Sequence, residues 1–348
     1  MGYGKKCECN RAMPAEDGHG RSAERPSAIP RRGWWDILKR VTLGISGKNL
    51  SLAAAGAAFY AFLAIPSAFT ALVAFYGIAF NPADVRGQVQ AMHGVMPKEA
   101  IQLISTQLQS LISHSTSLSI GFVISILIAL WSTQSGTTSM MSALNMAYGA
   151  KEKRGLVRYY LTAFVLTLAA MIFAVVALAL IAVLPAVIGF LPFGDFDKWA
   201  ATIVRWPILI VLILIALAVL FRYAPAREEP KWRWVSWGAI AAAVLWIVGS
   251  VLFSLYVEEF ATYNKTYGSL GAVVVLMMWL YVSAFAVLLG AELNAEIERQ
   301  TARDSTSGPE RPLGQRGARM ADTLGCENRE SIRKCGVSAA EQGDKLAG

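Results

Sequence analysis

Charged residues are scarce in this chain. Aspartate, glutamate, lysine and arginine together make up only 16% of its 348 residues, whereas 55% are hydrophobic. The mean hydropathy is +0.45, and a surface with so little charge could not keep a soluble domain of this size in water. The composition therefore excludes an ordinary soluble protein and predicts a membrane protein. The net charge of +8 does not point to nucleic acid, because the basic residues lie beside the apolar runs, where they orient a chain in a membrane.

Cysteine and histidine are too few and too scattered to build a metal site or a disulfide framework. The pair Cys7 and Cys9 has no second pair at ligand spacing, and the three histidines lie far apart. The apolar segments contain no His-Glu-x-x-His motif, no Ser/His/Asp set and no paired aspartates, and the chain has no Gly-x4-Gly-Lys-Ser/Thr loop. We therefore predict that the protein is not an enzyme and that it holds neither a metal ion nor a cofactor.

The N-terminal region lacks the pattern of a cleaved signal peptide. It is polar, with no apolar core before a small-residue cleavage site, so the first apolar run must target the protein and stay in the product. We predict disordered cytoplasmic tails over residues 1–33 and 300–348. Between them, residues 34–299 form the membrane domain.

Six apolar runs are long enough to cross a bilayer about 30 Å thick at about 1.5 Å per residue. The predicted fold is all-α: a polytopic membrane helical bundle of six transmembrane helices. The first outer loop, residues 81–117, carries apolar residues at helical spacing and predicts short amphipathic helices. The predicted spans are about 50–80, 118–142, 159–191, 204–222, 234–257 and 268–292.

The distribution of basic residues predicts the orientation of these spans. If both tails and the loops near 148–158 and 222–233 face the cytoplasm, 27 of the 32 Lys and Arg lie on that side. Cytoplasmic loops carry such an excess of Lys and Arg. The prediction is an N-in, C-in, multi-pass protein of the bacterial cytoplasmic (inner) membrane.

The second span changes character halfway along. From Ser132 to Ser139 every residue is a hydroxyl, an amide or glycine, although the helix has not yet left the bilayer. Polar groups at that depth either make helix contacts or line a solvated path, and the sequence leaves both interpretations open. The buried amide of Gln134 fits least well with simple packing, because it carries two donors and two acceptor sites. The residues proposed for a pathway are Tyr60, Ser132, Gln134, Thr137, Asn145 and Glu292.

Carboxylates occur at both ends of the last two spans. Glu292 is placed near the inner boundary on the same helix face as Glu296, where it either gates the inner mouth or merely ends the span. At the opposite side of the membrane, Glu258, Glu259 and Lys265 form a candidate outer gate. An exposed ion pair contributes only about 0 to 1 kcal/mol, so a purely structural bridge there would be weak.

Several segments together resemble the YihY/virulence factor BrkB family of bacterial inner-membrane proteins. They are the alanine-rich segment Ala53–Ser67, the region Trp131–Tyr148, the segment Tyr263–Tyr281 (YNKTYGSLGAVVVLMMWLY) and the segment Leu289–Arg299 (LGAELNAEIER). The resemblance covers about residues 34–299. It implies a compact helical bundle and a role linked to envelope resistance or export. The ribonuclease label that this family has carried finds no support in the residues, because metal-dependent phosphodiester cleavage needs a cluster of His or carboxylate ligands.

Two functional hypotheses remain at this point. The first is transport or export of an unidentified small solute or lipid-like molecule through a pathway beside the polar half of the second span. The alternative is an envelope scaffold without transport, whose basic tails recruit partners or anionic lipids. The expected partners are the lipid bilayer and an unknown small solute or lipid, with no nucleic acid.

Overall fold

A computed structural model describes residues 18–79, 120–178, 180, 195–259 and 269–325. In this part of the chain the secondary structure is helical, and the one isolated β-bridge joins Pro230 to Thr306. A single 3-10 turn, Pro26–Ala28, precedes the first long helix. The seven α-helices are α1 (Arg31–Gly47), α2 (Leu50–Ala79), α3 (Ile120–Ala147), α4 (Leu156–Leu178), α5 (Asp195–Tyr223), α6 (Trp232–Glu259) and α7 (Ser269–Glu298).

The helices α2 to α7 coincide with the six predicted spans, with differences at their ends. The fifth helix begins at Asp195 and so includes residues that were assigned to an outer loop, and α7 continues to Glu298, six residues past the predicted end of its span. The amphipathic helices predicted within residues 81–117 lie outside the described residues, as does the chain between α4 and α5 apart from residue 180.

Four of these helices are long and apolar enough to cross a membrane, and a fifth crossing follows if α1 and the start of α2 are taken as one bent span. This search covers only the described residues. The chain is thus a polytopic helical membrane protein with four to five candidate spans in its described part. The four helical stretches are Leu156–Ala177, Trp206–Tyr223, Trp232–Glu258 and Val273–Glu298.

The last helix is the centre of the bundle, since it packs against α1, α2, α3 and α6. Its closest approach is to α6 at Gly238 and Gly290. A Cβ atom on Gly290 would lie 2.5 Å from the carbonyl oxygen of Gly238, and one on Gly238 would lie 2.3 Å from the carbonyl oxygen of Gly290. Small residues at these two positions let the helix backbones touch, which is the usual route to tight helix packing in membranes.

Helix α1 meets α2 at a sharp corner. The axes of Arg31–Gly47 and Leu50–Ile65 differ by 63°, and Asn49 at the corner adopts a left-handed conformation with φ of 52°, which asparagine tolerates better than most residues. The corner brings Lys48 and the last turns of α1 beside the C-terminal end of α7. One end of the bundle therefore gathers charged residues from distant parts of the chain, and we call it the basic end.

The segment 300–325 differs from the prediction of a disordered tail. It packs across the basic end, where Thr301, Ser305 and Thr306 are buried and Met320 joins the main apolar cluster. Backbone bonds tie it to the α5–α6 loop (Lys231 N to Ser305 O, 2.9 Å) and to the N-terminal segment (Ala302 N to Arg21 O, 2.7 Å). The local sequence is polar, and the segment folds because its polar groups find partners on the helices. Residues 18–33, also assigned to a tail, contribute buried Ala23 and Ile29 to the same end.

Candidate functional site

The final turns of α7 carry two polar stripes that face different neighbours. Glu292, Glu296 and Gln300 follow one another at four-residue intervals and point toward α1, whereas Asn294 and Glu298, also four residues apart, point toward α6 and the α5–α6 loop. All five residues are at most 2% exposed. The spacing of 3.6 residues per helical turn explains this division, because residues four apart share a face.

Glu292 is fully buried and paired with Lys48. The Lys48 ammonium donates to both carboxylate oxygens at 2.7 Å and to the Ala147 carbonyl at 2.7 Å, so its three donors are all used. The pair requires glycine at position 44, since a Cβ atom there would lie 2.1 Å from Glu292 Oε1. Lys48 thereby joins the α1–α2 corner to α3 and α7.

The second pair lies one turn further along α7. Arg40 of α1 donates from Nε to Glu296 Oε2 at 2.6 Å and from Nη2 to Gln300 Oε1 at 2.6 Å. Gln300 in turn donates to the carbonyl oxygen of His19 at 2.7 Å. The N-terminal segment is thereby connected to α7 through the side chains of α1.

The third pair is the most deeply buried. Arg227 in the α5–α6 loop donates to Glu298 Oε2 at 2.6 Å, and its guanidinium lies 3.9 Å from the centre of the Tyr148 ring. Burial raises the pKa of Tyr148 above its ordinary value, and the charge of Arg227 offsets this only in part. Burial alone would lower the pKa of Arg227, but Glu298 and Tyr148 outweigh it and raise that pKa. Arg227 therefore stays charged. We name the three pairs together the α7 charge cluster: Lys48 with Glu292, Arg40 with Glu296, and Arg227 with Glu298.

Two asparagines hold backbone groups at the same end. Asn294 accepts a bond from Gly238 N (2.7 Å) and donates to Val235 O (3.1 Å), so it fixes α6 against α7. Asn145, a candidate pathway residue, accepts from Ala226 N (2.7 Å) and donates to Glu152 (3.0 Å). It borders a cavity of about 230 Å³ that is lined by Ser142, Asn145, Glu152, Arg154, Leu156 and Tyr159.

Glu152 is held by charge as well as by Asn145. Arg154 donates to it from Nε at 2.8 Å and from Nη2 at 2.9 Å. These bonds hold the pKa of Glu152 below its ordinary value, although partial burial acts in the opposite direction. Arg154 also donates to the carbonyl oxygens of Tyr223 and Ala224, so the α3–α4 turn is bonded to the end of α5.

The polar run on α3 makes contacts with α4 and α2. Gln134 is buried and donates from Nε2 to the carbonyl oxygen of Tyr160 at 2.6 Å, and the hydroxyls of Thr137 and Thr167 lie 2.7 Å apart. Gly136 faces α2, where a Cβ atom would meet Ala61 Cα at 3.4 Å. These are the helix contacts that the packing interpretation of this run predicts.

The other candidate pathway residue on α2 lies apart from these contacts. The Tyr60 side chain is 45% exposed, with its ring edge-on to Phe59 at 5.5 Å. Among the described residues no hydrogen bond joins Tyr60 to Gln134 or Thr137. The side chain of Ser132 lies outside the described residues.

The predicted outer gate falls mostly outside the described residues. Glu258 is exposed near the end of α6, whereas Lys265 and the side chain of Glu259 are not described. Within the described ranges no group of three or more His, Cys, Asp or Glu side chains is placed to hold a metal ion. The chemistry that this part of the chain offers is therefore ion pairing and hydrogen bonding at the basic end.

Sequence reasoning singled out Glu292 but missed its partners. Lys48 is 244 residues away along the chain and was counted only as one of many basic residues beside a span. The segment LGAELNAEIER contained the one local signal. Its carboxylates at 292, 296 and 298 lie on two faces of the helix, so they cannot all point into water. The Tyr148 and Arg227 contact carried no sequence signal, since each residue lies in a loop typical of the membrane interface.

Comparison with known proteins gives consistent results along most of the chain. The family model described as "Virulence factor BrkB" matches residues 41–314. The "Putative ribonuclease-like protein YfkH" of Bacillus subtilis is 32% identical over 230 residues, which cover 64% of this chain and 81% of that protein. No solved structure matches the chain.

Two further relatives are named only as membrane proteins. A UPF0761 membrane protein of Rhodospirillum centenum is 34% identical over 174 residues, which cover 49% of this chain and 38% of the relative. Another, from Idiomarina loihiensis, is 33% identical over 104 residues, which cover 30% of this chain and 36% of the relative. The match thus spans little more than a third of each of these two proteins.

Proposed function

Because the chain belongs to the virulence factor BrkB family of membrane proteins, we propose that it is a transport-type protein that moves a small solute or lipid-like molecule across the bacterial cytoplasmic membrane. The observation that carries this proposal is the α7 charge cluster. Three buried carboxylates on two turns of one helix each pair with a cation from a different position in the chain, namely α1, the α1–α2 corner and the α5–α6 loop.

The energetics of buried ion pairs favour a gate over a permanent structural contact. Replacing a buried pair by apolar residues of similar volume is often neutral or stabilising, because removal of charges from water costs more than their attraction returns. Three such pairs at one end of a bundle are thus a poor way to gain stability. They do suit contacts that must separate and reform, since intramembrane and near-membrane charges commonly mark solute pathways. In this proposal the paired arrangement is the closed state of the gate.

The proposed topology has six crossings with both ends in the cytoplasm. The basic end, which carries Lys48, Arg154 and Arg227, is then the cytoplasmic end, because the tails and the two inner loops of this topology carry 27 of the 32 Lys and Arg. The pathway runs from the polar run of α3, at Ser132, Gln134 and Thr137, past Tyr60 and Asn145 to the gate at Glu292. The proposed outer gate consists of Glu258, Glu259 and Lys265.

A flux assay in proteoliposomes tests this pathway. We suggest two probes: a fluorescent phosphatidylglycerol whose inward-facing fraction is protected from dithionite, and a series of small neutral and charged solutes followed by stopped-flow light scattering. Gln134→Leu removes the bond to Tyr160 O and, in this proposal, a polar group of the pathway, and we expect it to lower the rate at least fivefold for whichever probe the wild type moves. Ser236→Ala, which removes an exposed hydroxyl bonded to the backbone of its own helix α6, is the matched control and should behave as wild type.

Equal rates for wild type and Gln134→Leu at matched reconstitution would contradict the pathway. If the wild type moves none of the probes faster than empty vesicles, the transport proposal loses its support for these two classes of molecule.

The second candidate function is a scaffold without transport, and one observation favours it. The two end segments of the chain pack on each other at the basic end, with Arg21 donating to Gly325 O and Thr301 to Ala23 O, so they form a joint surface. Deletion of residues 1–17 and 326–348 retains Arg21, Ala23, Thr301 and Gly325, which make these contacts. Full complementation of a deletion strain by this truncated protein would weigh against a scaffold that acts through its ends.

The name of YfkH brings ribonuclease activity into consideration for this chain. We expect none, since the sequence offers no cluster of His or carboxylate ligands for metal-dependent cleavage. The expectation would be overturned if the purified protein released acid-soluble nucleotides from labelled RNA and single-residue variants of this chain abolished that release. Release that persists in every variant would come from a contaminating nuclease.

A further inference from the structure

The N-terminal turns of α1 and α6 meet through Trp34 and Trp237 and expose cations next to aromatic rings. We call this surface the headgroup face and define it by Arg31, Arg32, Trp35 and Lys39 of α1 with Arg233 and Trp237 of α6. All six side chains are exposed.

The two helices are held together beneath this face. Trp34 and Trp237 lie 5.5 Å apart between ring centres, and under them Ile37, Trp234 and Ile297 form a buried apolar cluster. Arg233 precedes Trp237 by one helical turn, so the two side chains share a face of α6, and Arg31 stands in the same relation to Trp35 on α1. The buried contacts therefore fix the relative positions of the exposed cations and rings on the two helices.

The acidic residues near this face leave its positive charge in excess. Asp36 is bonded to His19 (Oδ2 to Nδ1, 2.7 Å), and exposed Glu24 lies 3.9 Å from Arg303, away from the face. Arg25 adds a further exposed cation just before α1. Among the described residues, the acidic side chains nearest this face, Asp36 and Glu24, are paired elsewhere, with His19 and Arg303.

The exposed side of α1 also carries large apolar residues. Trp35 is 60% exposed and Leu43 is 74% exposed, and Leu38 lies between them. The opposite side of the helix, with Gly33, Ile37 and Gly44, packs on the bundle. A helix that buries one side in protein, exposes Trp and Leu on the other, and carries Arg and Lys at its start has the character of an interfacial helix. Its 63° bend from α2 is what a helix near the plane of the membrane requires when the next one crosses it.

We propose that the headgroup face binds the headgroups of acidic phospholipids in the surrounding leaflet. Arginine offers two parallel N–H donors to a phosphate, which is the geometry of a bidentate contact. Tryptophan rings settle at the level of the headgroups, so Trp35 and Trp237 hold the cations at that depth. The attraction of an anionic leaflet for nearby Lys and Arg supplies the selectivity over zwitterionic lipid. This inference does not depend on the proposed transport function.

Native mass spectrometry of the full chain, released from nanodiscs, tests the proposal. The nanodiscs contain equal parts of phosphatidylglycerol and phosphatidylethanolamine. We expect wild-type protein to retain phosphatidylglycerol in preference to phosphatidylethanolamine. The triple variant Arg31→Gln, Arg32→Gln, Lys39→Gln should retain about tenfold less phosphatidylglycerol. The matched control is Lys151→Gln, Lys153→Gln, Arg158→Gln, which removes three exposed cations from the α3–α4 turn and the first turn of α4 and should behave as wild type.

Folding of each variant is checked by thermal unfolding in neutral detergent, where equal melting temperatures show that the bundle is intact. Equal retention of phosphatidylglycerol by wild type and the α1 variant would overturn the proposal. So would a loss that is the same in both triple variants, because it would show a response to total charge alone. Loss of self-association by the α1 variant with unchanged lipid retention would show that a second copy of the chain covers this face, and would also overturn the proposal.

Discussion

At the scale of single residues, the role of Glu292 is set by partners that the sequence does not reveal. On sequence alone Glu292 either gates the inner mouth or merely ends the span, because a carboxylate within a turn of the interface can reach water at little cost. The structure instead places it at 0% exposure against Lys48. No local pattern could have shown this, because the ammonium arrives from the α1–α2 corner, which depends on the left-handed turn at Asn49. Glu296, predicted on the same helix face, shares the orientation toward α1 and meets Arg40.

The Lys48 and Glu292 pair allows a prediction about stability. Lys48→Met leaves a fully buried carboxylate without its cation, and we expect it to lower the free energy of unfolding by about 3 to 5 kcal/mol. Glu292→Gln should cost less, because Lys48 is 22% exposed and can reach water. The double variant should recover most of the loss, since it removes both charges.

Urea or thermal unfolding in a neutral detergent measures these differences as a double-mutant cycle. Additive losses in the double variant would show that the two side chains do not interact, and the gate proposal would then lose one of its three pairs.

At the scale of helices, the apolar pattern was sufficient to find the elements but not their neighbours. Runs of more than 20 apolar residues predict membrane helices with little ambiguity, and α2, α3, α6 and α7 lie close to the predicted ranges. The polar run of α3 was also recognised, yet its partners Tyr160 and Thr167 could not be named. A helix that is apolar all round does not indicate which side faces protein. Contacts between glycines on different helices, such as Gly238 and Gly290, therefore had to come from the structure.

The α6–α7 crossing leads to a prediction about packing. Gly238→Ala would place a Cβ atom 2.3 Å from Gly290 O and from the Asn294 side chain. We expect the two helices to separate, at a cost of about 1 to 3 kcal/mol for overpacking and with loss of the Asn294 bonds. Gly56→Ala on α2 is the control, since nothing lies within 4 Å of a Cβ atom there, and it should be neutral or slightly stabilising because alanine favours a helix.

The measurement is the melting temperature of each variant in the same detergent, together with its yield of folded protein. Equal melting temperatures for Gly238→Ala and Gly56→Ala would mean that the backbones at this crossing are not in contact in solution.

At the scale of the whole molecule, the composition identifies a membrane protein, and the distribution of Lys and Arg predicts that both ends lie in the cytoplasm. Neither predicts how the basic end is closed. Residues 301–325 have the polar, glycine-rich composition typical of a solvated tail. They fold here through specific bonds. The Arg316 guanidinium donates to the carbonyl oxygens of Arg311, Arg303, Ala321 and Ala302, and Asp304 accepts from Thr306 N and Arg311 N. Such partnerships depend on loop geometry, for which the sequence holds no periodic signal.

The segment 301–325 gives the last prediction, which concerns how it closes the basic end. A chain that ends after Gly325 keeps Met320 in the apolar cluster and keeps the bond from Arg21 to Gly325 O, so its melting temperature should equal that of the full chain. A chain that ends after Gln300 loses both contacts and also the backbone bonds from Lys231 N to Ser305 O and from Ser307 N to Glu229 O. We expect its melting temperature to fall by about 5 °C or more, since a loss of 1 kcal/mol shifts the transition by about 2 to 4 °C at this size. If the two truncated chains melt at the same temperature, residues 301–325 do not stabilise the basic end, and a closed gate there would have to rest on the α7 charge cluster alone.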